Sequence, residues 1–206
     1  MKQPLTLYGP EFSTYVRSVL LCCEEKDIDY NLQDITLKSK KLLNLNPFGR
    51  VPVMQDGDYV VYESAAICLY IDTQFQGPAL TPTNTVDLVR MQQWISIANC
   101  YLDDIIVRNY LLEFAFPSGK TGAIDDDKIN LALKLIPQYL ATLDHYLSRA
   151  DYFSGSRPGI ADYLIIPMLH YLRKAPRAEE LFEQHPIVSQ YIKKMLERKS
   201  CIKILR

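Results

Sequence analysis

Glu63 and Ser64 stand where a strand-like run gives way to a helix-like one, and they could bind a small ligand. The first turn of a helix carries unpaired N–H groups and a partial positive charge, so the Ser64 hydroxyl and N–H suit a carboxylate. Glu63 suits an ammonium on the same ligand. Val51-Pro52 ahead of them is a candidate cis peptide, because a proline amide lowers the cost of cis to about 0.5–1 kcal/mol. A cis bond there turns the backbone edge of Val51 outward, free to pair with an extended ligand. An ordinary hairpin with a polar helix start has the same pattern. Near the N-terminus, Ser13 or Thr14 is a helix N-cap candidate, a role that needs no chemistry beyond capping.

The elements that position these groups are legible as patterns. Leu5-Thr6-Leu7-Tyr8 alternates as a strand and ends at the turn signal Gly9-Pro10. Val16, Val19, Leu20 and Cys23 then recur at helical spacing to about Lys26. A second strand is expected over 29–35 and a short basic helical segment over 38–43. Val53-Met54-Gln55 and Tyr59-Val60-Val61-Tyr62 flank Asp56-Gly57, a tight antiparallel connection, and the helix opened by Glu63 runs to about Phe75.

The 206 residues are 48% hydrophobic, enough for one good core or two small ones, and the net charge of −1 offers no basic field for nucleic acid or anionic membrane. No apolar run approaches the ~20 residues that span a bilayer, and Met1-Lys2-Gln3-Pro4-Leu5 lacks the apolar core of a signal peptide, so a cytoplasmic protein is expected. Cysteines at 22, 23, 68, 100 and 201 and histidines at 145, 170 and 185 show no metal-ligand spacing. Buried thiols and no metal are the expectation.

The run N-P-F-G-x-V-P-V, then D-G-D, then Y-E-S-x-A-I resembles the glutathione-binding segment of the cytosolic glutathione S-transferase superfamily. The resemblance implies that Val51, before Pro52, pairs with the cysteinyl backbone of glutathione, and that Glu63 and Ser64 hold its γ-glutamyl end. It also implies a basic residue for the glycyl carboxylate: Lys41, with Lys38 or Lys40 as fallbacks and Arg50 as a further candidate. Y-G-P-x-x-S-T-Y-V-R is similar to the serine-type motif of the bacterial, phi and zeta classes, which makes Ser13 the catalytic hydroxyl with Arg17 in register. Thr14 is a possible substitute and Tyr8 a competitor from tyrosine-type classes. The absence of a cysteine at position 13 weakens a thiol-oxidoreductase reading.

The implied fold class is α+β, with a thioredoxin-like βαβαββα domain over 1–77, a linker over 78–84 and an all-helical domain over 85–206. The helical part is expected to hold a long helix from Asn84 to Phe114, with an apolar stripe at Trp94, Ile97, Ala98, Tyr101, Ile105 and Leu112. A helix over 125–148 follows, interrupted or kinked at Pro137. Next comes an apolar helix through Leu172, whose start in the family reads S/T-x-x-D; Asp162 fits, but Gly159 stands at the cap. His170 reads as a packed core histidine. One or two amphipathic helices lie over 179–199, parted at His185-Pro186, before an apolar end over 201–206 that packs on the body. Ser118-Gly119-Lys120-Thr121 is not a phosphate loop, since it lacks the upstream glycine and follows no strand.

A free thiol has a pKa of about 8.5, so an enzyme that uses glutathione as nucleophile must stabilise its thiolate. A hydroxyl donated by Ser13, helped by the helix N-terminus, does so without a covalent intermediate. Pro10, Phe12, Tyr101, Ile105, Tyr110, Phe114 and Phe116 are candidates to line a pocket for a small apolar electrophile, though each also reads as core. The resemblance further implies a homodimer, with Phe48 as intersubunit anchor and Asn99, Asp103 or Asp104 facing the partner's ligand. Two competing readings are a non-catalytic binding protein of the stringent starvation type and a glutathione-dependent isomerase or dehalogenase.

Overall fold

The computed structural model describes residues 4–206. Strands β1 (Leu5–Tyr8), β2 (Tyr30–Gln33), β3 (Val53–Asp56) and β4 (Tyr59–Tyr62) form one mixed sheet in the order β2-β1-β3-β4. β1 pairs parallel with β2 and antiparallel with β3, which returns through the Asp-Gly hairpin to β4. Helices α1 (Thr14–Glu25), α2 (Lys40–Leu45) and α3 (Ser64–Gln74) complete the order βαβαββα, so this part is thioredoxin-like as expected. Beyond it, among the described residues, regular structure is helical: α4 (Thr85–Ile97), a π-helical stretch Ala98–Leu111, α5 (Leu112–Ala115), a 3₁₀ turn Lys120–Gly122, α6 (Asp126–Leu147), α7 (Ile160–Leu172), α8 (Ala178–Glu183), α9 (Pro186–Leu196) and α10 (Lys199–Ile204).

The long helix starts where expected, and Asn84 caps it, its side chain accepting from Asp87 N–H at 2.9 Å. Its middle differs from expectation. In a π-helix the backbone bonds skip five residues, so side chains five apart stack. The Arg108 Nε donates to Asp103 Oδ2 at 2.5 Å and the Asn109 amide to the Asp104 carbonyl at 2.7 Å, both at that spacing. Helix α6 runs on through Pro137, so of the expected interruption or kink there is no interruption. The end expected over 201–206 is largely a further helix, α10, tied to α1 by Arg198 and Ser200 on the Glu25 carboxylate.

Helix α7 is buried along almost its whole length and packs against α1 and the long helix, so one core joins the sheet side to the helical side. Its start resolves the odd cap at Gly159. The Asp162 carboxylate accepts from the N–H groups of Phe153, Ser154 and Gly159 and from the Tyr191 hydroxyl, at 2.9–3.0 Å. The missing cap hydroxyl is supplied from outside the helix, by Ser154 Oγ accepting from Ala161 N–H at 3.2 Å. A Cβ on Gly159 would lie 2.2 Å from the Leu80 carbonyl oxygen, so glycine is required by close approach.

The stretch between α3 and α4 is also firmly tied. The buried Lys26 ammonium reaches Asp72 Oδ1 at 3.0 Å and the carbonyls of Asp72 and Pro78 at 3.2 Å. Asp72 in turn accepts from Leu80 N–H at 2.8 Å and the Thr81 hydroxyl at 2.6 Å, and these donors with Lys26 hold its carboxyl below the usual range against the effect of burial.

Candidate functional site

Ser13 is the N-cap of α1, half-exposed, with its Oγ accepting from Val16 N–H at 3.4 Å. A serine oxygen has two acceptor positions and one donor, so capping leaves the O–H free to donate elsewhere. Thr14 is buried one position later. Tyr8 is buried too, and its hydroxyl donates to Gln55 Oε1 at 3.0 Å, away from the helix start.

Gly9 lets α1, which Ser13 caps, pack closely against the Val51-Pro52 turn. Its φ of +147° carries the chain out of β1, and a Cβ there would meet Val16 Cγ2 at 2.5 Å and Val51 Cβ at 3.1 Å. Only a residue without a side chain lets α1 and the Val51-Pro52 turn close on the end of β1 this tightly. The Val51-Pro52 bond is cis, as expected. Asn46, which sequence reasoning passed over, organises that turn from a buried position: its Oδ1 accepts from Phe48 N–H at 3.0 Å and its Nδ2 donates to the Arg50 carbonyl at 2.9 Å. The Asn-Pro pair was the available signal, since an Asx side chain before proline commonly closes such a turn.

Glu63 precedes α3 at φ +72°, a left-handed conformation that costs a non-glycine residue about 1–3 kcal/mol and that gathers at functional sites. The residue is exposed, and no side chain caps the helix it introduces. Ser64 follows as the first, buried residue of α3. Tyr15 lies within electrostatic reach of Glu63, Asp103 and Arg108; burial first, then Asp103, pushes its phenol far up. Burial also raises the Asp103 carboxyl despite its pairing with Arg108. Asp103 is therefore a buried, internally paired group, whereas Asn99 and Asp104 are exposed.

Lys41 and Arg50 are exposed, with the Lys41 ammonium 5.0 Å from the centre of the Tyr8 ring. Of the apolar candidates, Phe12, Tyr101 and Phe116 are well exposed and Phe114 partly so. Ile105 and Tyr110 are buried, and the Tyr110 hydroxyl is held by the Pro176 carbonyl. His170 is buried as expected; burial, with Lys174, Arg17 and Arg173 near, pushes its imidazole down to about 4. Cys22, Cys23, Cys68 and Cys201 are buried free thiols and Cys100 is exposed. Among the described residues no group of three His, Cys, Asp or Glu is placed to hold a metal, and no helix is long and apolar enough to cross a membrane.

Residues 7–79 match the glutathione S-transferase N-terminal domain family and residues 123–194 the C-terminal domain family. The chain belongs to the cytosolic glutathione S-transferase superfamily. Among its relatives is glutathione S-transferase F7 of Arabidopsis thaliana, 28% identical, with 98% of this chain and 99% of the relative covered. The crystal structure of poplar glutathione transferase F1 is 26% identical with a TM-score of 0.87, covering 98% of this chain and 97% of that one. Glutathione S-transferase I from maize, in complex with an atrazine glutathione conjugate, is 25% identical with a TM-score of 0.84, at 98% and 97% coverage. These plant transferases thus share both fold and length with this chain.

Proposed function

We propose that the protein is a glutathione transferase in which the Ser13 hydroxyl donates a hydrogen bond to the glutathione sulfur and holds it as a thiolate. The thiolate attacks a small apolar electrophile; a carbon–sulfur bond forms, and either the leaving group departs with its electron pair or the adduct takes up a proton. The observation that carries this reading is the half-exposed Ser13 hydroxyl at the N-cap of α1, with Val16 of that helix and Val51 of the cis Val51-Pro52 turn both packed against Gly9. A charge-assisted hydrogen bond of this kind contributes about 1.5–3 kcal/mol, which corresponds to roughly 1–2 units in thiol pKa.

In this reading the Val51 backbone pairs with the cysteinyl part of glutathione. Glu63 takes the γ-glutamyl ammonium and Ser64 its carboxylate. Lys41 and Arg50 neutralise the glycyl carboxylate. Phe12, Tyr101 and Phe114 line the electrophile side. Glutathione is a co-substrate, and the chemistry of these residues calls for no metal. On the same reading the protein is a cytoplasmic homodimer without nucleic-acid or membrane partners, anchored through Phe48; the 69% exposure of Phe48 in the single chain supports the anchor. Its glutathione-binding domain spans 1–77 and the electrophile-binding helical domain 85–206, across a linker at 78–84; residues 1–3 lie outside the described structure.

The test is a titration of thiolate absorbance at 240 nm for glutathione bound to wild type and to Ser13→Ala. Thiolate at pH 7 in the wild type, lost in the variant, is the expected result. Glutathione that fails to bind, or binds as an unshifted thiol, would sink the reading.

A further inference from the structure

The loop that delivers Ser13 has its backbone carbonyls pinned one after another. The Pro10 carbonyl accepts from Ser13 N–H at 3.1 Å, Glu11 from Arg17 Nε at 3.0 Å, Phe12 from the Tyr171 hydroxyl at 2.8 Å, and Ser13 from Arg17 N–H at 2.9 Å. Three of these donors lie in the loop or in α1 itself. The fourth, Tyr171, comes from the far end of α7 in the helical half. The two side-chain donors also support each other, because the Arg17 guanidinium lies 4.9 Å from the centre of the Tyr171 ring. Arg17 is buried, and its Nη1 has no hydrogen-bond partner among the described residues, so its charge is offset by the Glu11 carbonyl and by the aromatic face.

Holding the Phe12 carbonyl fixes the peptide plane between Phe12 and Ser13, and that plane sets the direction in which the Ser13 side chain leaves the backbone. Ser13 itself has φ −65° and ψ 130°, a conformation that a free loop would share with many others. A hydroxyl that must meet a sulfur anion within hydrogen-bond range loses strength steeply when its direction wanders.

We propose that Tyr171 is a positioning residue for thiol activation: from the helical half it fixes the Phe12 carbonyl, and through it the aim of the Ser13 hydroxyl. The inference rests on the glutathione-transferase reading above. Burial keeps the Tyr171 phenol above its ordinary range, so it remains a donor throughout the working pH range. Arg17 is the second half of the device, since it holds the neighbouring carbonyl and stacks on the same ring.

Tyr171→Phe removes the hydroxyl and keeps the ring over Arg17. The bound thiol pKa should rise by about half a unit to one unit, as the loss of one positioned hydrogen bond implies. With 1-chloro-2,4-dinitrobenzene as probe electrophile, kcat/KM should fall roughly three- to tenfold below the thiol pKa and recover on the alkaline limb, while KM for glutathione stays within about twofold. In a Ser13→Ala background the same substitution should shift the thiol pKa no further. An unchanged pKa with a rate loss uniform across pH, or an equal shift with and without Ser13, would make Tyr171 a merely structural tether. If wild-type enzyme itself shows no thiolate, the transferase reading falls and this inference with it; a normal wild type with an unaffected Tyr171→Phe overturns this inference alone.

Discussion

Replacing Gly159 by the serine that resembling sequences carry at this helix start should destabilise the protein. On capping grounds alone the change is favourable by only a few tenths of a kcal/mol. Against that, the new Cβ would sit 2.2 Å from the Leu80 carbonyl oxygen, 2.8 Å from Ser154 Cβ and 2.9 Å from Ser154 Oγ. The nearest of these is backbone and cannot rotate away. Relief therefore displaces the Ile160 N–H to Leu80 carbonyl bond of 3.1 Å and the Ala161 N–H to Ser154 Oγ bond of 3.2 Å. Two hydrogen bonds at about 1 kcal/mol each, with packing strain of about 1–3 kcal/mol, give a net loss of roughly 3–5 kcal/mol. For a chain of this size that lowers Tm by about 6–20 °C. Urea and thermal unfolding of Gly159→Ser and of Ser154→Ala, each against wild type, measure it. Ser154→Ala should lose about 1 kcal/mol, less than the glycine change. A Gly159→Ser protein as stable as wild type would refute the claim that Ser154 already occupies the capping role and that the Leu80 carbonyl excludes a side chain.

Two further outcomes are expected. His170 is neutral in the native state down to about pH 4 but takes up a proton near pH 6.5 when unfolded, so the unfolded chain binds more protons between these values and stability falls as the pH drops through them. The full effect is about 3 kcal/mol; His170→Gln, compared with wild type by urea unfolding at pH 7 and pH 4.5, should lose less on acidification, and parallel losses would show that the imidazole is not the cause. Phe48→Ser removes the exposed ring that packs edge-on against Tyr62 at 6.2 Å; sedimentation should show the proposed homodimer weakened at least tenfold, and an association equal to wild type would discard the anchor.

Local chemistry made much of this molecule readable in advance. The Asp56-Gly57 turn, the proline after Val51, the hydroxyl caps and the strand alternation all act within a few residues of themselves, and each element they mark is present. Periodicity was less informative where the helix changes its own geometry. An apolar stripe was assigned to the long helix at ordinary α spacing, but the stretch 98–111 stacks residues five apart, and Asp103–Arg108 is visible only in that frame. The same stripe could not say which of the pocket candidates face inward, and Ile105 and Tyr110 are buried. Contacts between distant segments left no local trace: Ser154 serving as a cap for another segment's helix, Glu25 docking α10, and Tyr171 holding the Phe12 carbonyl are all products of tertiary packing.

The tied junction at Lys26, Asp72, Leu80 and Thr81 bears on how this chain can be recombined with its relatives. A crossover at residue 77 would take Lys26 and Asp72 from one parent and Pro78, Leu80 and Thr81 from the other, separating a buried ammonium and carboxylate from groups that complete their solvation. Leu80 faces both ways, since its N–H is donated to Asp72 and its carbonyl receives Ile160. The segment through Thr81 thus travels as part of the first module while dictating the residue allowed at position 159 of the second. Chimeras that exchange electrophile preference while keeping glutathione binding should be cut after Thr81, and should inherit the glycine at 159 together with the Leu80 backbone it accommodates.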